Sequence, residues 1–173
     1  MKKQYTLLLL VASFIANSQC FTKISSGQNH IIATKSNNSL WGWGWGADGQ
    51  LGTGFTFDEY EPFSINTTSS WNFTQAGQYN SFGIKTDGTL WGTGSNANGS
   101  LGINTTTSFN PILNQIGIAS NWRQVGAGGL FTVATKTDNT LWAWGINNSY
   151  QMGNTTCCAN RLAPGQDRHI LKN

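Results

Sequence analysis

The chain has 173 residues, of which only 10% are charged, with 21 glycines and 8 tryptophans. A typical soluble domain carries about 25% charged residues, so this composition points to turns and strands rather than helices. Once Lys2 and Lys3 are set aside, 8 basic side chains face 7 acidic ones. Three of the basic ones, Arg161, Arg168 and Lys172, lie at the C-terminal end. No basic stripe exists, which argues against nucleic-acid binding.

At the N-terminus, Met1-Lys2-Lys3 precedes an apolar stretch from Tyr5 to Ile15, and Ala16-Asn17-Ser18 offers small residues at the positions a signal peptidase reads. This is the pattern of a secretory signal over residues 1–18, with cleavage expected near Ser18 and an extracellular or cell-surface destination. The apolar stretch falls short of the roughly 20 residues that span a bilayer, and no later segment comes close. Asn17 and Gln19 fit a lipoprotein box around Cys20 poorly. Cys20, Cys157 and Cys158 make no disulfide framework. An oxidising destination would still permit a bridge from Cys20 to one of the adjacent pair. No metal-ligand spacing occurs, and no metal or cofactor is expected.

The rest of the chain is a repeat. Trp41, Trp91 and Trp142 each follow a Leu, at spacings of 50 and 51 residues. Upstream in the same register stand Phe21, Trp71 and Trp122, then Gly27, Gly77 and Gly128, then Lys35, Lys85 and Lys136. Downstream come Gly44, Gly94 and Gly145, then Leu51, Leu101 and Met152, each followed by Gly. Pro62, Pro111 and Pro164 close the units. The boundaries are therefore 21–70, 71–121 and 122–164, with 165–173 an irregular tail.

Within a unit, period-two alternation and turn chemistry predict four strands. In the second unit these are Trp71 to Ala76, Ser81 to Lys85, Thr89 to Gly94 and a stretch after Pro111, with Thr86-Asp87-Gly88 as a tight turn. Four strands in about 50 residues is the arithmetic of a propeller blade, which must stack on neighbours to bury its faces. Only small residues occur at Ala33, Gly83 and Ala134, which suggests an inner strand crowded toward an axis.

The segments Gly27 to Lys35, Leu40-Trp41-Gly42-Trp43-Gly44 and Asp48 to Gly54 resemble one unit of the regulator of chromosome condensation repeat. Lys85 to Trp91 and Leu141 to Gly145 match it in the later units. The resemblance covers nearly all of the chain beyond the leader. It implies a seven-bladed propeller of four-stranded antiparallel blades, in a superfamily that includes a secreted β-lactamase inhibitor protein and whose members mostly bind proteins through loops on one face. The expected fold is all-β, a partial propeller of about three blades with an incomplete ring. Propellers typically need at least four blades. The chain is thus expected to be a piece of a longer propeller, the alternatives being an open arc or copies assembled side by side through exposed blade faces.

Residues that the repeat does not explain are the binding candidates, since the scaffold makes no structural demand for them. Trp41, Trp91 and Trp142 recur and read as packing residues, whereas Trp45 has no aromatic counterpart. The segment Phe55-Thr56-Phe57-Asp58-Glu59-Tyr60-Glu61 mixes aromatic and acidic residues where the other units are bland. Aromatic anchors among charges suit an interface with an unidentified protein. A glycan bound on Trp45 and neighbouring aromatics is the alternative, and a structural surface or adhesin segment is another. Catalysis is not expected. Asp87 and Asp138 sit in turns where they cap their own backbone, His30 is isolated, and the Asp-Gly turns lack the spacing of propeller sialidases. The secretory leader argues against guanine-nucleotide exchange. Lys35, Lys85 and Lys136 read as solvated strand ends.

Overall fold

A computed structural model describes residues 20–66, 70–153 and 160–166. The leader at 1–18, Cys157, Cys158 and the tail after Gln166 lie outside the described residues. Among the described residues, twelve strands form three four-stranded antiparallel sheets, each in plain meander order. The first blade holds β1 (Phe21–Ser26), β2 (His30–Lys35), β3 (Leu40–Gly44) and β4 (Glu59–Asn66). The second holds β5 (Trp71–Ala76), β6 (Asn80–Lys85), β7 (Leu90–Ser95) and β8 (Phe109–Gln115). The third holds β9 (Trp122–Ala127), β10 (Phe131–Lys136), β11 (Leu141–Gly145) and β12 (Arg161–Gln166).

Neighbouring blades meet chiefly through their first two strands: β5 packs on β1 and β2, and β9 packs on β5 and β6. The first strand of each blade is therefore the inner one, and the three sheets make an open arc rather than a closed ring. This corrects the expectation for Ala33, Gly83 and Ala134, which lie on the second strands β2, β6 and β10. At Gly83 the crowding comes from an indole of the same blade, since an added Cβ would lie 2.6 Å from Trp71 Cε3.

The prolines also sit differently from the expectation. Pro62, Pro111 and Pro164 lie inside β4, β8 and β12 instead of preceding them. Each of these is the outermost strand of its sheet, where a missing N–H can face the free edge without breaking a ladder bond. The last strand runs on through Gly165 and Gln166, which pair with Ala143 and Trp142. Those two residues belong to the third blade, not to an irregular tail.

Recurring glycines have a backbone cause. Gly44, Gly94 and Gly145 end the third strands with φ of +99°, +102° and +95°, a left-handed region that side chains disfavour. A Cβ there would also come within 2.5, 2.5 and 2.4 Å of the carbonyl oxygens of Asn29, Tyr79 and Leu130. The turn therefore brings the first hairpin and the third strand of each blade too close for any other residue.

The core lies between blades. Phe82, Ile84, Leu90, Leu101 and Ile116 of the second blade pack with Trp122, Val125, Ala134 and Trp144 of the third. Trp71 and Trp144 are completely buried. Each such indole removes roughly 150–250 Å² from water, worth about 4–6 kcal/mol at 25 cal/mol per Å². A second contact is polar. The loop after each third strand reaches over the next blade: Thr93 Oγ1 donates to the Gly49 carbonyl at 2.8 Å, and Trp144 Nε1 donates to the Ser100 carbonyl at 2.9 Å. Thr132 Oγ1 donates to that same Ser100 carbonyl at 2.8 Å. This loop is the latch between blades.

Candidate interaction surface

Two kinds of end follow from the topology. Turns between the second and third strands lie at one end of the blades. The hairpins between the first and second strands lie at the other, together with the long loops between the third and fourth.

The first end is built from a device repeated three times. In the second blade, Asp87 Oδ1 accepts hydrogen bonds from the Thr89 amide at 2.9 Å and the Thr89 hydroxyl at 2.6 Å. Thr89 Oγ1 in turn accepts from Trp91 Nε1 at 2.9 Å. Asp138, Thr140 and Trp142 repeat the chain with distances of 3.0, 2.6 and 2.9 Å. In the first blade Asn37 and Ser39 do the same for Trp41. Both aspartates are fully exposed, and the Thr hydroxyl bond, followed by the amide bond, holds each carboxyl below its ordinary value. They cap their own turns, in line with the sequence reading.

The lysines do more than end a strand. Lys35, Lys85 and Lys136 place Nζ 3.3, 3.8 and 3.8 Å from the ring centroids of Trp41, Trp91 and Trp142. Phe21, Trp71 and Trp122 flank the same ammoniums at 5.2, 5.3 and 4.8 Å. Each lysine is thus spread over two aromatic rings, an attraction that sequence reading missed. Its only signal was the fixed spacing of six residues from Lys to Trp. At this end each ammonium lies against aromatic rings of its own blade, beside a self-capped turn.

The opposite end carries the candidates. Trp45 is half-buried and stands edge-to-face with Tyr79 of the second blade, their centroids 5.9 Å apart. It therefore has an inter-blade packing partner, which the repeat alignment could not show. Alongside, Gln78 Nε2 donates to Gln28 Oε1 at 2.9 Å. Gly27, Gly77 and Gly128 lie in the hairpins here, each close beneath the side chain three residues on, His30, Asn80 or Phe131.

The segment from Phe55 to Glu61 is two things. Glu59, Tyr60 and Glu61 belong to β4 and are not loop residues, because Glu59 already pairs with Gly44. Phe55 to Asp58 is the true loop. Asp58 Oδ1 accepts from the Gly46 amide at 2.8 Å, and the Phe57 carbonyl lies so close to Gly46 that no side chain would fit there. This pins the loop beside Trp45. Phe55 and Phe57 stack at 5.9 Å and 18° yet remain 63% and 70% exposed, while Tyr60 on the strand is 92% exposed. Two aromatic rings are held in water by a loop whose backbone is fixed.

His30 faces the second blade, is 3% exposed and bonds Ser81 Oγ through Nε2 at 2.8 Å. Burial lowers its pKa to about 4, with the Asn80 backbone opposing. Among the described residues no three His, Cys, Asp or Glu side chains gather as a metal site, and no helix is long and apolar enough to cross a membrane.

Meandering four-stranded antiparallel sheets stacked through their inner strands define an array of β-propeller blades. Models of the regulator of chromosome condensation (RCC1) repeat match residues 21–50 and 122–151 in one form and 37–82 in another. Together these span just over half of the chain, which belongs to the RCC1 repeat family. Among solved structures, human WBSCR16 is similar with a TM-score of 0.74 and 17% identity over 86% of this chain and 38% of that one. Prp20p from Saccharomyces cerevisiae, in a report on its binding to Gsp1p and histones, gives 0.73 and 20% over 84% and 38%. Yeast RCC1 (Prp20) bound to Kap60 gives 0.73 and 19% over 84% and 36%. The chain spans less than two fifths of the length of these structures, and at these identities the likeness is one of fold. A comparison with curated proteins returns no match.

Proposed function

We propose that this chain is a secreted, non-catalytic propeller segment that binds another protein through the end carrying Trp45 and the loop from Phe55 to Asp58. Secretion rests on the basic start and short apolar run of residues 1–18. Two of the similar yeast structures come from reports of protein binding, of Prp20p to Gsp1p and histones and of yeast RCC1 to Kap60. The observation that carries the reading is the exposed Phe55–Phe57 stack, pinned by Asp58 to Gly46. Exposed aromatics cost solubility, and they suit the desolvated centre of an interface when the backbone is already fixed and little entropy remains to be lost on binding. Asp58, Glu59 and Glu61 around them favour a partner surface with basic groups at its rim.

The test is to pan a displayed random-peptide library against the full chain and against a Phe55→Ala, Phe57→Ala double variant. Peptides that are retained by the parent, lost by the variant and enriched in basic and aromatic residues support the reading. Equal retention with unchanged β-type circular dichroism removes this loop from the site.

A further inference from the structure

The aromatic pair of the first blade has an apolar neighbour on the second. Gly54, which precedes Phe55, donates its amide to the Pro111 carbonyl at 2.8 Å, and Thr53 forms an antiparallel bridge with Ile112 on the outer strand β8. A Cβ on Gly54 would stand 3.7 Å from Ile112 Cγ2. Ile112 is 53% exposed, so the packing of its own blade does not account for it. A single exposed isoleucine is ordinary. One fastened through two backbone contacts to the loop that holds two exposed phenylalanines carries the apolar surface across the blade junction.

This surface does not owe its exposure to the ends of the sequence. Ile112 belongs to the second blade, which has a blade on each side. Thr105 to Ser108, the stretch of that blade in register with Phe55 to Asp58, is exposed as well, although the first blade precedes it. This place in a blade faces solvent even where both neighbours are present, and only the first repeat fills it with aromatic rings.

Charge identifies the occupant. Asp58, Glu59 and Glu61, which follow the rings directly, are three of the chain's 7 acidic residues. Asp58 is bonded to the Gly46 amide, and none of the three forms an ion pair among the described residues. Apolar side chains beside uncompensated carboxylates complement a segment that carries apolar and cationic residues together. The same carboxylates repel the phosphates of an anionic lipid surface.

We propose that the partner engages this chain through a cationic peptide segment with apolar anchors, which spans the junction from the Phe55–Phe57 pair to Ile112 and sets its Lys or Arg side chains toward Asp58, Glu59 and Glu61. The assignment rests on the protein-binding reading of the loop, and adds to the site a residue of the second blade and a dependence on salt.

The probes are the peptides that the parent retains in panning and the Phe55→Ala, Phe57→Ala variant loses. Fluorescence anisotropy compares their affinity for the parent, for Ile112→Ser and for the pair Glu59→Gln, Glu61→Gln. Ile118→Ser is the control, because Ile118 is 98% exposed in the connection between β8 and β9, at the other end of the blades. Ile112 and Ile118 are both exposed, so these variants should fold, which circular dichroism checks. Ile112→Ser should bind at least about tenfold more weakly, as loss of an interface anchor does, and Ile118→Ser like the parent. The glutamine variant should bind several-fold more weakly in dilute salt and lose most of the salt dependence that the parent shows, because salt screens exposed charges. Parent-like binding by Ile112→Ser, with binding still lost in the phenylalanine variant, overturns this inference and leaves the loop reading standing. An affinity that neither salt nor the glutamine changes alter overturns it too. A parent that sediments with phosphatidylcholine vesicles, or with itself, through these same residues has a different occupant, and the inference falls. A parent that retains no peptide removes both readings.

Discussion

Gly83 lies directly against the indole of Trp71. A Cβ at Gly83 would lie 2.6 Å from the indole carbons Cε3 and Cζ3 of a tryptophan that is fully buried and cannot yield. The φ of Gly83 is ordinary, so size alone is at issue. Overpacking costs roughly 1–3 kcal/mol, and the Gly-to-Ala gain through the unfolded chain returns about 0.4–1. Gly83→Ala should therefore lose about 1–2 kcal/mol in urea unfolding. The third repeat carries Ala134 in register with Trp122, so the clash belongs to the placement of the Trp71 indole; Trp71→Phe, which copies the pairing of Ala33 with Phe21 in the first repeat, should relieve it. The double variant is expected to be more stable than the sum of the single effects by about 1 kcal/mol, a coupling that contacting residues commonly show. Strict additivity would mean that the two residues do not press on each other.

The lysine between two aromatics should matter even though it lies near the surface. Lys85 Nζ is 3.8 Å from the Trp91 centroid, and partly exposed cation–π contacts contribute about 0.5–1 kcal/mol. Lys85→Met keeps most of the apolar stem and removes the charge, so it should cost about that much. Lys85→Arg should cost less. Equal stability of parent and Met variant, measured by the urea midpoint, would show that the ammonium is fully hydrated.

Much of this was legible because a repeat writes each structural demand three times. The positions of Trp41, Trp91 and Trp142 fix the strands, and Asp87 before Gly88 fixes a turn, from local chemistry alone. What was hidden is what depends on the neighbouring blade. Trp45 looked unexplained because its partner, Tyr79, belongs to the next sheet. The loop from Asp48 to Gly52 gave no sign that its Gly49 carbonyl would receive a hydrogen bond from Thr93. The strand character of Glu59 to Glu61 was masked by reading Pro62 as the end of a unit. An outer edge strand can carry a proline that an inner one cannot.

The capped turns make an acid-dependent prediction. Asp87 and Asp138 bind their proton less readily folded than unfolded, first because of the Thr89 and Thr140 hydroxyls. A depressed carboxyl contributes stability that is fully present above its unfolded value of 3.8 and is lost as pH falls through the folded value. Asn37 serves the same turn without titrating. The double variant Asp87→Asn, Asp138→Asn should therefore resemble the parent at pH 7 and lose less stability below pH 4. A parallel loss in both proteins, followed by urea unfolding at several pH values, would remove these turns as the cause.

His30 acts in a higher window. Burial against the second blade lowers its pKa from 6.5 to about 4, so the unfolded chain takes up a proton there before the folded one does. The stability it allows is fully present above about pH 6.5 and is lost steadily as pH falls to about 4, a total of about 3 kcal/mol at 1.36 kcal/mol per unit. The imidazolium would have to form beside Ser81 at the junction of the first two blades, so that junction should be the first to loosen in mild acid. His30→Asn places there the residue that the second repeat carries at Asn80. It should cost some stability at pH 7 through the altered bond to Ser81, yet show a flatter profile between pH 6.5 and 4.5 than the parent. If the two profiles run parallel, His30 is hydrated in both states and its burial is not what makes the fold acid-sensitive.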